Sequence, residues 1–317
     1  MLKQPTATPT KAGHAPGTAE TPPGSARARG TTLVVRLVRA AVLAYVAWVA
    51  ALWFVQDRIL FVPHLAGEGL TDAAIAAEPR IVRRWLAQDD GVETEAWLVR
   101  ASQGLTAPRG LVVFTHGNAE LIDHALPEAE EWTRRGFDVL LPEYRGYGRT
   151  GGTPGETRIV EDILAHLDAE IDAHGARPLV LHGRSLGTGV AAQVALRIAE
   201  GRVEGRVEGR VEGVDRDALD ALILESPFTS IAAMAAGFGA PGFVVRHPFR
   251  TDRALPALAC PILILHARND EVVPIAHGRA LSALHPKASM VELAGSHNSG
   301  IAGDPAYWSA IDRMLAD

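Results

Sequence analysis

The sequence predicts an α/β fold built on a mostly parallel eight-stranded sheet, with helices on both faces and an N-terminal membrane helix. From about residue 80, short apolar runs alternate with longer segments of helical periodicity, which is the pattern of strand–helix–strand units. The central runs LVVFT, LVLH, ALILE and PILILH are almost continuously apolar, as parallel strands buried on both faces are. The membrane helix is predicted from an abrupt change to apolar residues at Leu33.

Length and composition already argue against some classes of protein. The chain has 317 residues, of which 47% are hydrophobic, so it can bury a large core. Its formal net charge of −6 gives no basic surface, and we therefore expect no nucleic-acid partner. The only cysteine, Cys260, precedes the apolar run PILIL and is expected to be a small buried hydrophobic residue.

Two segments fall outside the alternating pattern. Residues 1–30 are rich in Pro, Thr, Ala and Gly and nearly lack large apolar side chains, which predicts a disordered tail. Residues 201–213 repeat the unit GRVE, and each of its glycines disfavours a helix by about 1 kcal/mol relative to alanine. We expect this repeat to form a surface loop between a helix and the next strand.

Residues 31–56 are predicted to be a transmembrane signal anchor. The stretch from Ala40 to Val55 has no charged residue, and with the apolar residues before it a helix can cross a hydrocarbon core of about 30 Å. Four arginines precede that stretch: Arg27, Arg29, Arg36 and Arg39. The positive-inside rule then predicts a cytoplasmic N-terminus, with the rest of the chain across the membrane.

Two other interpretations of this segment stay open. A cleaved signal peptide would yield a soluble secreted protein, and a helix packed on the folded domain would be equally apolar. The apolar run continues through Leu52, Trp53, Phe54 and Val55 without a polar break. That continuity favours an uncleaved anchor.

Residues 57–317 are predicted to form one domain. Its expected strands are Ile81–Leu86, Thr94–Val99, Gly110–Thr115, Asp138–Leu141, Pro178–His182, Ala221–Leu224, Pro261–Leu265 and Ser289–Leu293. The helical patterns between them are Ala119–Arg135, Thr157–Ala173, Leu186–Ala199 and Ile275–Leu284. A helix in most connections after the third strand indicates that successive strands run parallel.

A strand–turn–helix junction around Ser185 is the strongest functional pattern. The apolar run LVLH is followed by GRSLG, which matches the motif G-x-S-x-G, and a helical pattern begins directly after it. Such a turn exposes a serine at the end of a buried strand and needs glycine-sized residues on either side. A serine that merely caps the helix would not require both Gly183 and Gly187. We therefore predict Ser185 as a nucleophile.

A serine nucleophile needs a base, and the base needs an orienting acid; in this kind of sheet they follow the serine in the order acid, then histidine. The loop ARNDEVVP leaves the buried run PILILH and contains Asp270, the predicted acid. Glu225, at the end of another strand, is the rival acid, whereas Glu271 is expected to be a solvated charge. His297 lies in a Gly/Ser turn after the last strand and is the predicted base; the other histidines are expected to be structural.

Acyl transfer also needs N–H donors for the developing oxyanion. One predicted donor is the N–H of Leu186, directly after the nucleophile. The loop HGNAE follows the third strand, where the second donor is expected, and Asn118 is the candidate. His116 in the same loop is expected to brace it.

Together these motifs resemble the α/β-hydrolase superfamily and, within it, the Bem46-like group of membrane-anchored hydrolases. The matching stretches are FVQDRILFVP in a looser form, FTHGNAE, LLPEYRGYGRTGGTPGE, LHGRSLGTGVA, LILESPFTS, CPILILHARNDEVVP and GSHN. The resemblance implies an α/β-hydrolase fold with esterase-like or acyl-hydrolase activity, no cofactor or metal, and a membrane anchor. Carried over residue by residue, it implies Ser185, Asp270 and His297 as a catalytic triad, with Asn118 and Leu186 at the oxyanion.

The chain departs from the family pattern in its N-terminal tail and in the GRVE repeat, to which we assign no catalytic role. The segment between ESPFTS and CPIL is too short for a separate cap domain, so we expect little or no cap and an open site.

We therefore expect a serine hydrolase that cleaves carboxylic ester or thioester bonds of small-molecule or lipid-like substrates through an acyl-enzyme on Ser185. A serine peptidase or amidase of the same fold would use the same residues and remains an alternative. A non-catalytic, membrane-anchored binding scaffold is a third possibility. Such a protein would be expected to have a damaged triad or oxyanion loop, and both motifs are intact in this sequence. The sequence has no pair of His, Asp or Glu residues at the spacing of metal ligands, so we expect no metal site.

Overall fold

The computed structural model describes residues 13, 25–101, 107–174, 177–201 and 219–316. The predicted GRVE loop at 201–213 lies outside the described residues apart from Gly201. Most of the predicted tail at 1–30 lies outside them as well. The chain divides into two compact units, Met1–Ala50 and Ala51–Asp317.

One long helix, α1, spans Ser25–Leu60 and contains the whole segment predicted as an anchor. Its part from Leu33 to Leu60 has a mean hydropathy of 1.9 and is long and apolar enough to cross a membrane. The helix begins at Ser25, inside the segment expected to be disordered, because adding Ala and Arg to an existing helix costs little. It continues past residue 56 because Gln56 and its neighbours bond to the folded domain.

The second unit contains eight described strands: β1 Ile81–Ala87, β2 Glu93–Val99, β3 Gly110–Thr115, β4 Phe137–Pro142, β5 Leu179–Arg184, β6 Leu219–Glu225, β7 Ile262–Ala267 and β8 Ala288–Leu293. They form one sheet in the order β1-β2-β4-β3-β5-β6-β7-β8. Strand β2 is antiparallel to β1 and β4, and all other neighbours are parallel. The prediction of a mostly parallel eight-stranded sheet is confirmed, and every strand end lies within two residues of its expected place.

The described α-helices of this unit are α2 Asp72–Ala77, α3 Leu126–Arg134, α4 Glu156–His174, α5 Leu186–Ala199, α6 Ile231–Ala236, α7 Thr251–Ala254, α8 Ala276–Ser282 and α9 Pro305–Met314. The prediction of one helix over Ala119–Arg135 was wrong. A 3₁₀ turn at Ile122–Ala125 precedes α3, and Pro127 lies in the first turn of α3, where its missing N–H costs nothing.

The sheet separates two hydrophobic cores, and β3 shows how the side chains divide between them. Leu111 and Val113 point to the core that α4 and α5 cover, whereas Val112 and Phe114 point to the core that α3 and α9 cover. This alternation follows from the two-residue period of a strand. Each fully buried side chain of this size stabilises the fold by about 1.5–3 kcal/mol, which explains why these runs are apolar throughout.

The connection from β6 to β7 carries only the short helices α6 and α7 and two 3₁₀ turns, so the part of the domain that the structure describes has little or no cap, as expected. The parallel strands β3 and β5 to β8 end at one edge of the sheet. The loops that follow them carry all the candidate site residues, because open α/β sheets present their loops there.

Candidate active site

Ser185 lies in the tight turn between β5 and α5. Its φ of 50° and ψ of −116° define a backbone conformation that residues other than glycine rarely adopt. The turn brings the main chain before and after the serine into contact. A Cβ atom on Gly183 would lie 2.3 Å from the carbonyl oxygen of Gly187, so residue 183 must be glycine. Gly187, on the other side of Ser185, is required by a different contact, because a Cβ there would lie 2.0 Å from the carbonyl oxygen of Thr115.

The structure brings Ser185, His297 and Asp270 together from the loops after β5, β8 and β7. Ser185 Oγ lies 2.9 Å from His297 Nε2, and His297 Nδ1 lies 2.8 Å from Asp270 Oδ2. An ionised carboxylate only accepts hydrogen bonds, so Nδ1 carries the proton and Nε2 offers its lone pair to the serine hydroxyl. Such an arrangement can move a proton from Ser185 to His297.

Asp270 is held by more than the histidine. Its Oδ1 accepts hydrogen bonds from the N–H groups of Val272 and Val273, at 3.0 and 2.7 Å. Burial acts to raise its pKa, but the hydrogen bonds from His297, Val273 and the Ser226 side chain outweigh burial, and the pKa is lowered. The carboxylate therefore stays ionised, as an orienting acid must.

Glu225, the rival acid, has a different set of partners. Its carboxylate accepts hydrogen bonds from Tyr307 Oη at 2.8 Å and from Arg184 Nε at 3.2 Å. Arg184 also reaches Glu120, at 3.3 Å, and Glu128. Glu225 thus belongs to a buried ion-pair network beneath the nucleophile turn, and it is Asp270 that contacts His297.

The two candidate oxyanion donors lie on neighbouring segments. Leu186 is the first residue of α5, where a helix leaves its N–H without an intrahelical acceptor. The hydroxyl of Thr115, at the end of β3, donates to the carbonyl of Gly187 at 2.8 Å and joins α5 to the loop that contains Asn118. The Asn118 side chain bonds to Leu60 and Tyr147, which leaves its main-chain N–H as the possible donor.

His116 braces this loop from below, as expected. Its Nδ1 lies 2.8 Å from the Gly117 carbonyl oxygen, and its Nε2 lies 2.9 Å from Glu143 Oε1. The ring stacks on Tyr144, whose hydroxyl donates to the His116 carbonyl at 2.8 Å. Burial alone would lower the pKa of His116, but the Glu143 carboxylate reverses that effect and raises it.

The roles of two residues of the site, Ser226 and Glu271, were not predicted from the sequence. Ser226 follows β6 with φ 53° and hydrogen-bonds to Asp270 through its side chain. Its position directly after a buried strand, at the same sheet edge as the nucleophile, was the available signal. Glu271 was expected to be a solvated charge; it is exposed, yet its Oε2 accepts the N–H of His297 at 3.2 Å.

Two other side chains that could take part in catalysis, those of Cys260 and His182, are buried in the core. Cys260 is buried, and burial raises its pKa to about 11, so it is an unreactive thiol. Burial lowers the pKa of His182 to about 3, and its ring lies between Trp132 and Tyr307. Among the described residues, no group of three or more His, Cys, Asp or Glu side chains is placed to hold a metal ion.

Comparisons with known proteins place the chain in a family. A family model described as serine aminopeptidase, S33, matches residues 106–209. The α/β-hydrolase domain-containing protein WAV2 of Arabidopsis thaliana is 30% identical over 298 residues, which cover 85% of this chain and 90% of that protein. Lysophosphatidylserine lipase ABHD12 of Mus musculus is 33% identical over 56% of this chain; the match spans only 46% of that protein, less than half its length.

Solved structures agree with this assignment at the level of the fold. The esterase Pf2001 of Pyrococcus furiosus superposes with a TM-score of 0.58 at 15% identity, covering 79% of this chain and 95% of that chain. Est1E of Butyrivibrio proteoclasticus gives a TM-score of 0.57 at 18% identity, covering 74% and 100%. With the match over nearly the whole length of the Arabidopsis protein, the chain belongs to the α/β-hydrolase superfamily.

Proposed function

We propose that the protein is a membrane-anchored serine hydrolase that cleaves carboxylic ester or thioester bonds through an acyl-enzyme on Ser185. The observation that carries the proposal is the continuous hydrogen-bonded line from Ser185 Oγ through the His297 ring to Asp270, with both donor–acceptor distances below 3 Å. That geometry supports the activation of a serine, which is otherwise a weak nucleophile.

In the proposed reaction, His297 Nε2 takes the hydroxyl proton as Ser185 Oγ attacks the acyl carbon. The N–H groups of Leu186 and Asn118 stabilise the negative charge on the carbonyl oxygen. His297 then gives its proton to the leaving alcohol or thiol, and the carbon–oxygen or carbon–sulfur bond breaks. Water repeats the sequence on the acyl-enzyme, releasing the acid and restoring Ser185, while Asp270 stabilises the imidazolium in both halves.

The substrate class is proposed from the relatives and from α1. The Mus musculus relative is named a lysophosphatidylserine lipase, and the Pyrococcus furiosus neighbour is named an esterase. We propose that α1 anchors the protein with its N-terminus in the cytoplasm, so that lipid-like esters in or near the bilayer are its substrates. The triad requires neither a cofactor nor a metal ion for this reaction.

Amide cleavage is the second candidate, and one observation favours it: the matching family model is described as a serine aminopeptidase. Both reactions use the same residues, so the leaving group distinguishes them. Turnover of a short-chain p-nitrophenyl ester should exceed that of the matched aminoacyl p-nitroanilide. Faster cleavage of the anilide would replace the esterase proposal with the amidase.

The direct test is labelling of the full chain with a fluorophosphonate, which reacts with an activated serine. Wild-type protein should be labelled, and Ser185→Ala should not be. Ser309→Ala is the matched control, because Ser309 is exposed and its hydroxyl donates only within α9. Folded wild-type protein that resists labelling would exclude the hydrolase and leave the binding scaffold.

A further inference from the structure

The segment between α6 and α7, residues 237–246, exposes two phenylalanines. Phe238 is 76% exposed and Phe243 is 86% exposed, while the other aromatic side chain that follows β6 closely, Phe228, is buried at 3%. We call residues 237–246 the aromatic loop. Two nearly fully exposed phenylalanines in one short loop are costly in water and indicate a surface that contacts something apolar.

The aromatic loop is fastened to the last turns of α1. Gln56 Nε2 donates to the carbonyl of Val244 at 3.1 Å, and Gln56 Oε1 accepts the N–H of Arg246 at 2.7 Å. The guanidinium of Arg246 pairs with Asp57 at 3.1 Å and lies 5.3 Å from the centre of the Trp53 ring. These contacts hold the loop beside residues 53–57.

The same turns of α1 are themselves apolar on the outside. Phe54 is 80% exposed and Ile59 is 61% exposed. These turns form the C-terminal end of the stretch Leu33–Leu60, which is long and apolar enough to cross a membrane. Tryptophan at such a boundary, here Trp53, is typical of the interface between lipid and water.

We propose that the aromatic loop is a second membrane contact, which inserts Phe238 and Phe243 into the surface of the phospholipid bilayer that holds α1. The inference rests on the proposed membrane anchorage. A bilayer is favoured as the partner over a second copy of the chain. The proposed anchor would keep the aromatic loop close to the bilayer, so that insertion of the loop would be an intramolecular step with no further loss of translational freedom.

The consequence for the reaction follows from the fold. The aromatic loop follows β6, and β6 pairs with β5 in parallel up to Arg184 and Glu225, so both connections leave the same edge of the sheet. Insertion of the loop therefore holds the edge that carries Ser185 at the lipid surface. A lipid-like ester can then enter the site without crossing water.

The experiment uses the full chain reconstituted in phosphatidylcholine vesicles, with a polarity-sensitive NBD label on one introduced cysteine. Phe243→Cys and Phe238→Cys place the label on the loop, and Leu284→Cys is the control, since Leu284 is 42% exposed and precedes β8 at the opposite edge. The native Cys260 is buried with its pKa raised to about 11 and will react slowly. Phosphatidylcholine brominated on its acyl chains is the quencher.

We expect a blue-shifted emission and loss of emission with the brominated lipid at positions 238 and 243, and neither at 284. If the protein floats with the vesicles but the loop labels match the label at 284, the loop proposal is wrong and the anchor stands. A blue shift without quenching would mean that protein covers the loop, which also overturns the proposal. Failure to float would overturn the anchor and the loop contact together, whereas fluorophosphonate labelling reports separately on the hydrolase.

Discussion

The carbonyl oxygen of Thr115 would lie 2.0 Å from a Cβ atom placed on Gly187. Thr115 is the last residue of β3, directly before the loop with Asn118, and Gly187 is the second residue of α5, directly after Leu186. The absence of a side chain at position 187 therefore lets the two candidate oxyanion donors approach each other. This contact connects a single glycine to the chemistry of the site.

Gly187→Ala is expected to push α5 away from β3 and to separate the two donors. Because loss of one donor costs about 10²–10³ in turnover, fluorophosphonate labelling should slow by on the order of 100-fold. The rate of labelling of folded protein measures this. Gly303→Ala is the matched control, since nothing lies within 4 Å of a Cβ there, and equal rates for both variants would contradict the assignment.

Asp270→Asn should abolish most of the activity while leaving the nucleophile turn intact. An amide cannot stabilise the imidazolium and favours the wrong tautomer of His297, so ester turnover should fall about 10⁴-fold. Glu225→Gln is the comparison: it weakens the pairing of the buried Arg184 and should lower the free energy of unfolding, yet keep turnover per folded molecule. The opposite result would make Glu225 the acid.

The pair of His116 and Glu143 is expected to stabilise the loop that carries Asn118. Either His116→Phe or Glu143→Leu alone leaves a buried group without its charged partner and should lower the free energy of unfolding by about 3–5 kcal/mol. The double variant should lose clearly less than the sum of the two. Urea unfolding of all four proteins measures the coupling, and simple additivity would exclude a direct interaction.

His166 makes the fold sensitive to mild acid. Its ring is buried beside Thr94 Oγ1 at 2.9 Å, and burial lowers its pKa from 6.5 to about 4. Between those values the unfolded chain binds the proton and the folded chain does not, so the free energy of unfolding falls by about 1.4 kcal/mol per pH unit as the pH decreases.

His166→Gln removes this proton uptake and should make the decline of unfolding free energy between pH 6 and pH 4 shallower by about 1.4 kcal/mol per unit. The exposed His124, replaced by Gln, is the comparison variant for the removal of a histidine from the surface. His182, whose pKa burial lowers to about 3, adds to the slope in both variants equally. Identical slopes for His166→Gln and wild type would contradict the buried, neutral state of His166.

Local pattern alone predicted the strands and the candidates Ser185, Asp270 and His297, with Glu225 left as a rival acid. Ser185 and Asp270 lie in loops directly after runs so apolar that only a strand buried on both faces can use them, and side-chain periodicity is a local property. His297 instead follows the partly exposed edge strand β8. The contact that requires Gly187, with β3, is long-range, whereas the need for Gly183 in the turn was predicted from the same local geometry. The start of α3 was not, because Pro127 was read as lying inside a longer helix rather than in a first turn.

Only the tertiary structure decided which side chains meet across the sheet edge. The contacts of Ser226 with Asp270, of Glu271 with His297 and of Arg246 with Asp57 each join segments far apart in the sequence. The rivalry between Asp270 and Glu225 was likewise open until their partners were known. Such contacts depend on the order and register of the strands. The pairing of strands that lie far apart in the sequence cannot be predicted from the periodicity of side chains within each strand.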